Sequence, residues 1–284
     1  MASSARRWWV RIVLGVGLGL AVLYVAYGLL LWSLQERMIY PAPGGIERDA
    51  LEQAATEVGA ESLRLTAADG TALYGWYRAA EGKRALLYFH GNGESVADSM
   101  ALMRAVNRQG WDFGIVAYRG YPGSEGTSSR SGIRQDARAL WDHTVDARGI
   151  PASQVVVLGR SLGGAVALEL MQEVTPAALV LESTFARMED MARRSAPLYP
   201  VNLLLRHNYD SLAIAPTLTV PVLHAHSHDD QVIPFDQGRQ LSRALPDAEF
   251  VEVRGLQHQH LLVLQDPAFN AAWKALLKRL SAGH

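Results

Sequence analysis

Val155-Val156-Val157-Leu158-Gly159-Arg160-Ser161-Leu162-Gly163-Gly164 is the stretch on which the reading of this chain turns. Three β-branched residues and a leucine have the composition of a buried strand. Gly159 to Gly163 then fits G-x-S-x-G, and Ala165-Val166-Ala167-Leu168-Glu169-Leu170 continues with helical composition. Strand, tight turn and helix are together the context of a nucleophile elbow. Such a turn strains the serine backbone, so small residues must stand two before and two after it. Ser161 then projects its hydroxyl at the carboxyl edge of a sheet, beside the positive end of the next helix. A Gly-rich connection whose serine only caps the helix is the competing reading of the same residues.

Outward from the elbow, strands and helices alternate. Glu61–Thr66 and Ala72–Arg78 flank the turn signal Asp69-Gly70, as a hairpin does. Ala85–Phe89 reads as a strand ending at His90-Gly91-Asn92-Gly93, Val96–Gln109 as a helix, and Phe113–Ala117 as a strand. Ile133–Ala147 reads as a helix and Ala178–Leu181 as a strand ending at Glu182. Val220–Leu223 is a strand, the segment near Asp236–Ala244 a helix, Glu249–Val253 a strand and Pro267–Leu280 a helix. This order predicts an α/β fold: a mostly parallel, doubly wound sheet covered on both faces. Residues 183–219 break the pattern and are too long for an ordinary β-to-α connection. A short cap at about 183–219 is expected there, its Met188, Met191, Leu198, Tyr199 and Leu203–Leu205 either lining an apolar pocket or packing as a small core.

A serine nucleophile needs a base, and the base needs an orienting carboxylate. On this fold they follow the serine as acid and then histidine. His258 stands just after the strand Glu249–Val253, with His260 as its near rival. Asp230 stands past the preceding strand, with Asp229 beside it and Glu182 as the outside candidate. The catalytic set is therefore Ser161, Asp230 and His258. Two N–H donors must meet a developing oxyanion. Leu162, next to the nucleophile, and Asn92, in the Gly-flanked loop after Ala85–Phe89, are the expected donors. His90 is expected to hold that loop by a hydrogen bond, and Arg160 either to pair with a carboxylate or to lie in solvent.

Composition narrows the field. The 284 residues are 49% apolar, enough to bury one α/β core of about 61–284. A net charge of −1, with no basic stripe past residue 11, excludes nucleic acid as an expected partner. With no cysteine, neither disulfides nor thiolate chemistry is available. From Ile12 to Trp32 runs a 21-residue stretch without a charge, long enough to span about 30 Å of hydrocarbon. Trp8, Trp9 and Trp32 stand where an aromatic belt would. Arg6, Arg7 and Arg11 precede the run, so residues 1–11 are placed in the cytoplasm, 12–32 as a transmembrane signal anchor and 33–60 as a linker. The catalytic domain is then extracytoplasmic, which means periplasmic in a bacterium. A cleavable signal would have an apolar core of only about 7–15 residues and an A-x-A-like site, which Leu29-Leu30-Leu31-Trp32 does not offer.

These residues resemble a known family. The chain looks like an α/β-hydrolase-fold enzyme of the membrane-anchored, bud-emergence-homologue group of serine hydrolases. The matching pieces are Gln35–Pro41, His90–Gly93, Tyr118–Gly126, Gly159–Gly164, Glu182–Phe185, Asp230–Pro234 and His258, in family order. The resemblance implies hydrolysis of acyl esters, thioesters or lysophospholipids with no cofactor, an acyl substrate and a membrane as partners. Ser227 and Gln257 stand where the group usually has glycine, and Gln259-His260 where it usually has a polar–acidic pair.

Two other classes compete. His224-Ala225-His226-Ser227-His228-Asp229-Asp230 sets alternate imidazoles on one side of a strand, a pattern that a metal-dependent hydrolase uses. That reading leaves the elbow and His90–Gly93 without a role, so no metal site is expected. A catalytically inactive, membrane-tethered binding module is the other, since a fold does not fix a function.

Overall fold

In the computed structural model of the protein, which describes residues 2–246 and 248–282, eight strands form one sheet. Met1, Asp247, Gly283 and His284 lie outside the described residues, so the outermost positions of the N-terminal and catalytic segments are not placed. The strands are β1 Glu61–Thr66, β2 Ala72–Arg78, β3 Ala85–Phe89, β4 Asp112–Val116, β5 Val155–Arg160, β6 Ala178–Glu182, β7 Val222–Ser227 and β8 Glu249–Val253. Their order is β1-β2-β4-β3-β5-β6-β7-β8. β1–β2 and β2–β4 pair antiparallel, and every pairing from β4 to β8 is parallel. The α/β-hydrolase architecture expected from the sequence is the one observed. β3, β5 and β6 are buried along their whole length, as parallel strands covered on two faces must be.

The helices are α1 Ala2–Ile39, α2 Arg48–Glu57, α3 Met100–Asn107, α4 Arg130–Asp142, α5 Leu162–Leu170, α6 Met188–Ser195, α7 Val201–Leu204, α8 Ser211–Ile214, α9 Phe235–Ala244, α10 Leu262–Gln265 and α11 Pro267–Ala282. Every residue of α5 is buried, which explains its unbroken run of small and apolar side chains. The helix expected over Val96–Gln109 begins as a 3₁₀ turn at Val96–Ser99, where Ser95 and Asp98 form a capping box. The one expected over Ile133–Ala147 ends at Asp142 and continues as a π turn, His143–Ala147.

Other boundaries also differ from the sequence reading. α1 does not stop at Trp32 but continues to Ile39, and α2 occupies part of the stretch read as a linker. The charged residues Glu36 and Arg37 end the apolar run without ending the helix, since both are good helix formers. β7 runs on to Ser227, so His224 and His226 belong to the strand and are buried in it. Hydropathy alone does not extend a strand through histidines.

Tyr118-Arg119-Gly120 lies at the end of β4. Buried Arg119 pairs with fully buried Asp136 of α4 at 2.8 Å and with half-exposed Asp69 of the β1–β2 turn at 2.6 Å. This fork ties the antiparallel hairpin to the parallel part of the sheet. It holds Asp69 well below the usual carboxylate range, through its hydrogen bonds from Arg119 and Thr71.

Candidate active site

β5 delivers Ser161 to the carboxyl edge of the sheet at φ 54 and ψ −122, a conformation that side chains other than glycine rarely adopt. Two contacts hold it there. The Ser161 N–H donates to the Glu182 carbonyl at 2.9 Å, and its carbonyl accepts from Thr184 Oγ1 at 2.7 Å. The flanking glycines are required by space. A Cβ at Gly163 would be driven into the Phe89 carbonyl, and one at Gly159 into the Gly163 carbonyl. The strand-to-helix turn is that tight because α5 packs directly against the end of β3.

His258 Nε2 lies 3.0 Å from Ser161 Oγ, and His258 Nδ1 lies 2.7 Å from Asp230 Oδ2. A carboxylate only accepts, so Nδ1 carries the proton and Nε2 is left to accept from the serine hydroxyl. Asp230 Oδ1 accepts from the N–H groups of Val232 and Ile233 at 2.9 and 2.8 Å. Burial pushes the Asp230 carboxyl up, but the hydrogen bond from His258, the attraction of its imidazole and the Ile233 N–H together outweigh it. The group is held below the usual carboxylate range.

Leu162 and Asn92 border the same cavity as Ser161. Leu162 is the first residue of α5, so its N–H has no place in the helix's own ladder and is free to meet an anion. His90 is fully buried. Its Nδ1 donates to the Gly91 carbonyl at 2.9 Å and its ring stacks on Tyr118 at 4.1 Å. Burial pushes its pKa down to about 4.

The neighbouring candidates are turned elsewhere. His260 Nδ1 accepts from the Gln257 N–H at 2.9 Å, so its ring closes its own turn. Asp229 accepts from the Gly255 N–H at 2.7 Å. Glu182, fully buried at the end of β6, accepts the N–H groups of Leu262 and Val263 at 2.9 and 3.2 Å and so caps α10. Burial pushes its carboxyl up, partly offset by Arg160. Ser227 Oγ donates to the Leu256 carbonyl at 2.6 Å, fastening the end of β7 to the loop that carries His258.

The two histidines of β7 and His228 just past its end do not converge. His226 Nε2 donates to the Ile233 carbonyl at 2.9 Å, His224 packs against Phe250, and His228 stacks outside on Phe235 at 3.7 Å. Among the described residues, no three His, Asp or Glu side chains are arranged to hold a metal ion. Burial drives the pKa of His224 well below the ordinary histidine value, and that of His226 below it too.

Arg160 is a residue the sequence left undecided. It is buried, it pairs with Glu94 and lies 3.4 Å from Glu182, and its guanidinium donates to the main-chain carbonyl of His258. Its position between a strand and the nucleophile was the available signal, because a charge there cannot reach water. The cap residues that wall the cavity were legible as possible pocket lining, whereas those of α1 gave no signal of their own. About 370 Å³ opens beside Ser161, lined by Leu31, Trp32, Met38, Met188, Tyr199 and Leu204 among others. Residues 188–205 therefore line a pocket more than they pack a separate core, and the far end of α1 shares the lining.

A family model described as serine aminopeptidase, S33, matches residues 80–203. An uncharacterized Mycobacterium tuberculosis protein, Rv2307c, is 30% identical over 245 residues, covering 84% of this chain and 85% of the relative. The Arabidopsis thaliana α/β hydrolase domain-containing protein WAV2 is 29% identical, covering 84% and 86%, and Schizosaccharomyces pombe protein bem46 is 26% identical, covering 77% of each. Among solved structures, the Pyrococcus furiosus esterase Pf2001 superposes with a TM-score of 0.68 at 15% identity, covering 85% of this chain and 96% of the esterase, a likeness of fold alone. The fold is that of an α/β hydrolase, and the arrangement at Ser161 is of the serine-hydrolase type. The chain belongs to the α/β-hydrolase family.

Proposed function

We propose that the protein is a membrane-anchored serine hydrolase that cleaves carboxylic ester or thioester bonds of acylated substrates through an acyl-enzyme. The observation that carries this reading is the Ser161–His258–Asp230 relay, with spacings of 3.0 and 2.7 Å, at a serine held at φ 54. Ser161 Oγ attacks the acyl carbonyl while His258 Nε2 takes its proton. The Leu162 and Asn92 N–H groups receive the oxyanion, and Asp230 stabilises the imidazolium. His258 then gives the proton to the departing alcohol or thiol. Water, deprotonated by His258, releases the acid and returns Ser161.

The lining favours an acyl group over a peptide amine. An aminopeptidase must meet an α-ammonium with a carboxylate or similar acceptor, and among the described lining residues there is no Asp or Glu. Anchoring rests on the charge-free run of α1 and its solvent-facing side chains. Arg6, Arg7 and Arg11 assign the N-terminus to the cytoplasm and the catalytic domain to the other side.

The test is labelling of membranes holding the full chain with a fluorophosphonate, together with hydrolysis of p-nitrophenyl acetate and an acyl thioester. Label and both activities are expected in the wild type and lost in Ser161→Ala. Equal hydrolysis by the two proteins would establish a silent binding module instead. Protease digestion of spheroplasts, with the domain degraded, checks the orientation.

A further inference from the structure

The membrane helix and the catalytic domain are joined by more than the chain between them. Tyr24 of α1 stacks on Tyr199 with ring centroids 4.5 Å apart and planes 4° from parallel. The two exchange hydrogen bonds: Tyr24 OH donates to the Leu198 carbonyl at 2.7 Å, and Tyr199 OH to the Tyr24 carbonyl at 2.9 Å. Gly28 leaves the space, since a Cβ there would meet the Tyr199 ring at 2.9 Å. Lower down, Gln35 donates to the Leu204 carbonyl at 3.1 Å and accepts from the Arg206 N–H at 2.8 Å. The Arg206 guanidinium lies 4.5 Å from the centre of the Trp32 ring and 3.3 Å from Glu36.

These contacts fix a depth. Arg206 and Glu36 need water, so the polar boundary lies near Trp32. Tyr24 stands two turns, about 12 Å, further along the helix into the apolar run. Leu198 and Tyr199 meet it there, which puts the tip of the 196–205 segment inside the hydrocarbon. Two further features fit that place. Leu198 and Leu203 are 80% and 77% exposed, large apolar side chains with no protein cover. The tyrosine hydroxyls are satisfied by carbonyls in the protein, as hydrocarbon demands. The cavity that begins at Ser161 is walled by this segment on one side and by Leu31, Trp32, Met38 and Ile39 of α1 on the other.

We infer that α1 is one wall of the acyl-binding site, that the site opens within the leaflet beside the anchor, and that the substrate is an amphiphile resident in the bilayer. This rests on the hydrolase reading above. The acyl chain slides from the leaflet between α1 and the 196–205 segment, and its carbonyl arrives at Ser161 without the chain crossing water. The anchor is then a substrate-binding element as well as a tether.

The chain has no cysteine, so a single one can be labelled in the full protein. A nitroxide at Leu198→Cys, in phosphatidylcholine vesicles, is expected to relax with oxygen and to be shielded from a water-soluble nickel complex. A label at Glu57→Cys, exposed on α2, gives the opposite pattern and sets the scale. Nickel access at Leu198 equal to that at Glu57 overturns the inference.

The second arm compares kcat/KM for an octanoyl ester dissolved in those vesicles with that for the acetyl ester in water. Leu31→Trp and Leu204→Trp, each filling the cavity from one wall, are expected to lower this ratio about tenfold, the effect of a misfitted methylene in an apolar pocket. Leu14→Trp, on the exposed part of α1 away from the cavity, keeps the wild-type ratio. Fluorophosphonate labelling of each variant shows that it is folded. Ser161-dependent hydrolysis with a ratio unmoved by either tryptophan overturns the inference and leaves the hydrolase reading standing. Wild-type hydrolysis that does not depend on Ser161 overturns the hydrolase reading itself, while the nitroxide result still decides where the segment lies.

Discussion

Arg160 holds the main chain of His258: its guanidinium donates to the histidine's carbonyl, while the next residue along is the serine that His258 faces. One side chain thus fixes the two ends of the proton path relative to each other. Arg160→Met removes that brace and leaves Glu182, fully buried, without its cation. A misplacement of the base by a fraction of an ångström is expected to lower kcat roughly tenfold to a hundredfold with little change in KM. The stability cost is expected at about 3–5 kcal/mol by denaturant titration. A variant with wild-type kcat would show that the brace is dispensable. Arg160→Lys, a point charge without the fork, is expected to recover stability more than rate.

His258 and His260 are two residues apart and separate cleanly by mutation. His258→Ala is expected to lower kcat by about 10⁶-fold, the loss seen when a triad base is removed, and His260→Ala only a few-fold. Asp230→Asn, which presents an amide to Nδ1 and favours the wrong tautomer, is expected to cost about 10⁴-fold. Single-turnover hydrolysis of a p-nitrophenyl ester measures all three. Loss of activity in His260→Ala with retention in His258→Ala would reassign the base.

Arg119 is a structural residue in a motif that reads as functional. Arg119→Met leaves Asp136 buried and uncompensated and is expected to destabilise by about 3–5 kcal/mol. The ratio of kcat to labelled Ser161 should stay near that of the wild type, measured on the folded fraction. A fall in that ratio with stability intact would move Arg119 into the chemistry.

The buried histidines give stability a slope in acid. His224 and His226 are held neutral in the fold by burial, His90 likewise with a pKa down at about 4, and each titrates near 6.5 when unfolded. Between those values the unfolded chain binds more protons, so stability is full above about 6.5 and falls as pH falls. Asp230 and Asp69, whose folded pKa values are lowered, add a loss that begins only nearer 3.8. His224→Phe keeps an aromatic ring against Phe250 and removes two ring nitrogens that have no partner among the described residues. It is expected to raise stability at pH 7 by about 1 kcal/mol and to shrink the drop in Tm between pH 6.5 and 4. An undiminished drop would remove His224 from the account.

What could be read from the sequence followed from what is local. Ser161, Asp230 and His258 each stand just past a strand end, so strand recognition alone carries them to one sheet edge. The elbow needs its glycines within two residues of the serine, and they are there. Arg160 was ambiguous because its partners, Glu94, Glu182 and the His258 carbonyl, come from three other segments. The strand through His224 and His226 was read short because imidazoles do not look apolar, although burial keeps them neutral. Least legible was the meeting of Tyr24 with Tyr199, 175 residues apart. Each side of that contact reads separately as ordinary, one as part of an apolar run and the other as part of an irregular stretch.

α1 passes without a break from the charge-free run into the protein core, where Gln35, Ile39 and Tyr40 are buried. On the anchored reading this has a mechanical meaning. A span longer than the local hydrocarbon thickness tilts to fit, at fractions of a kcal/mol per Å. With no hinge before Ile39, the tilt is passed to the whole catalytic body, and the mouth beside Ser161 swings with it. Bilayer thickness thereby becomes a variable of the reaction, and the same enzyme would work at different rates in thin and thick membranes.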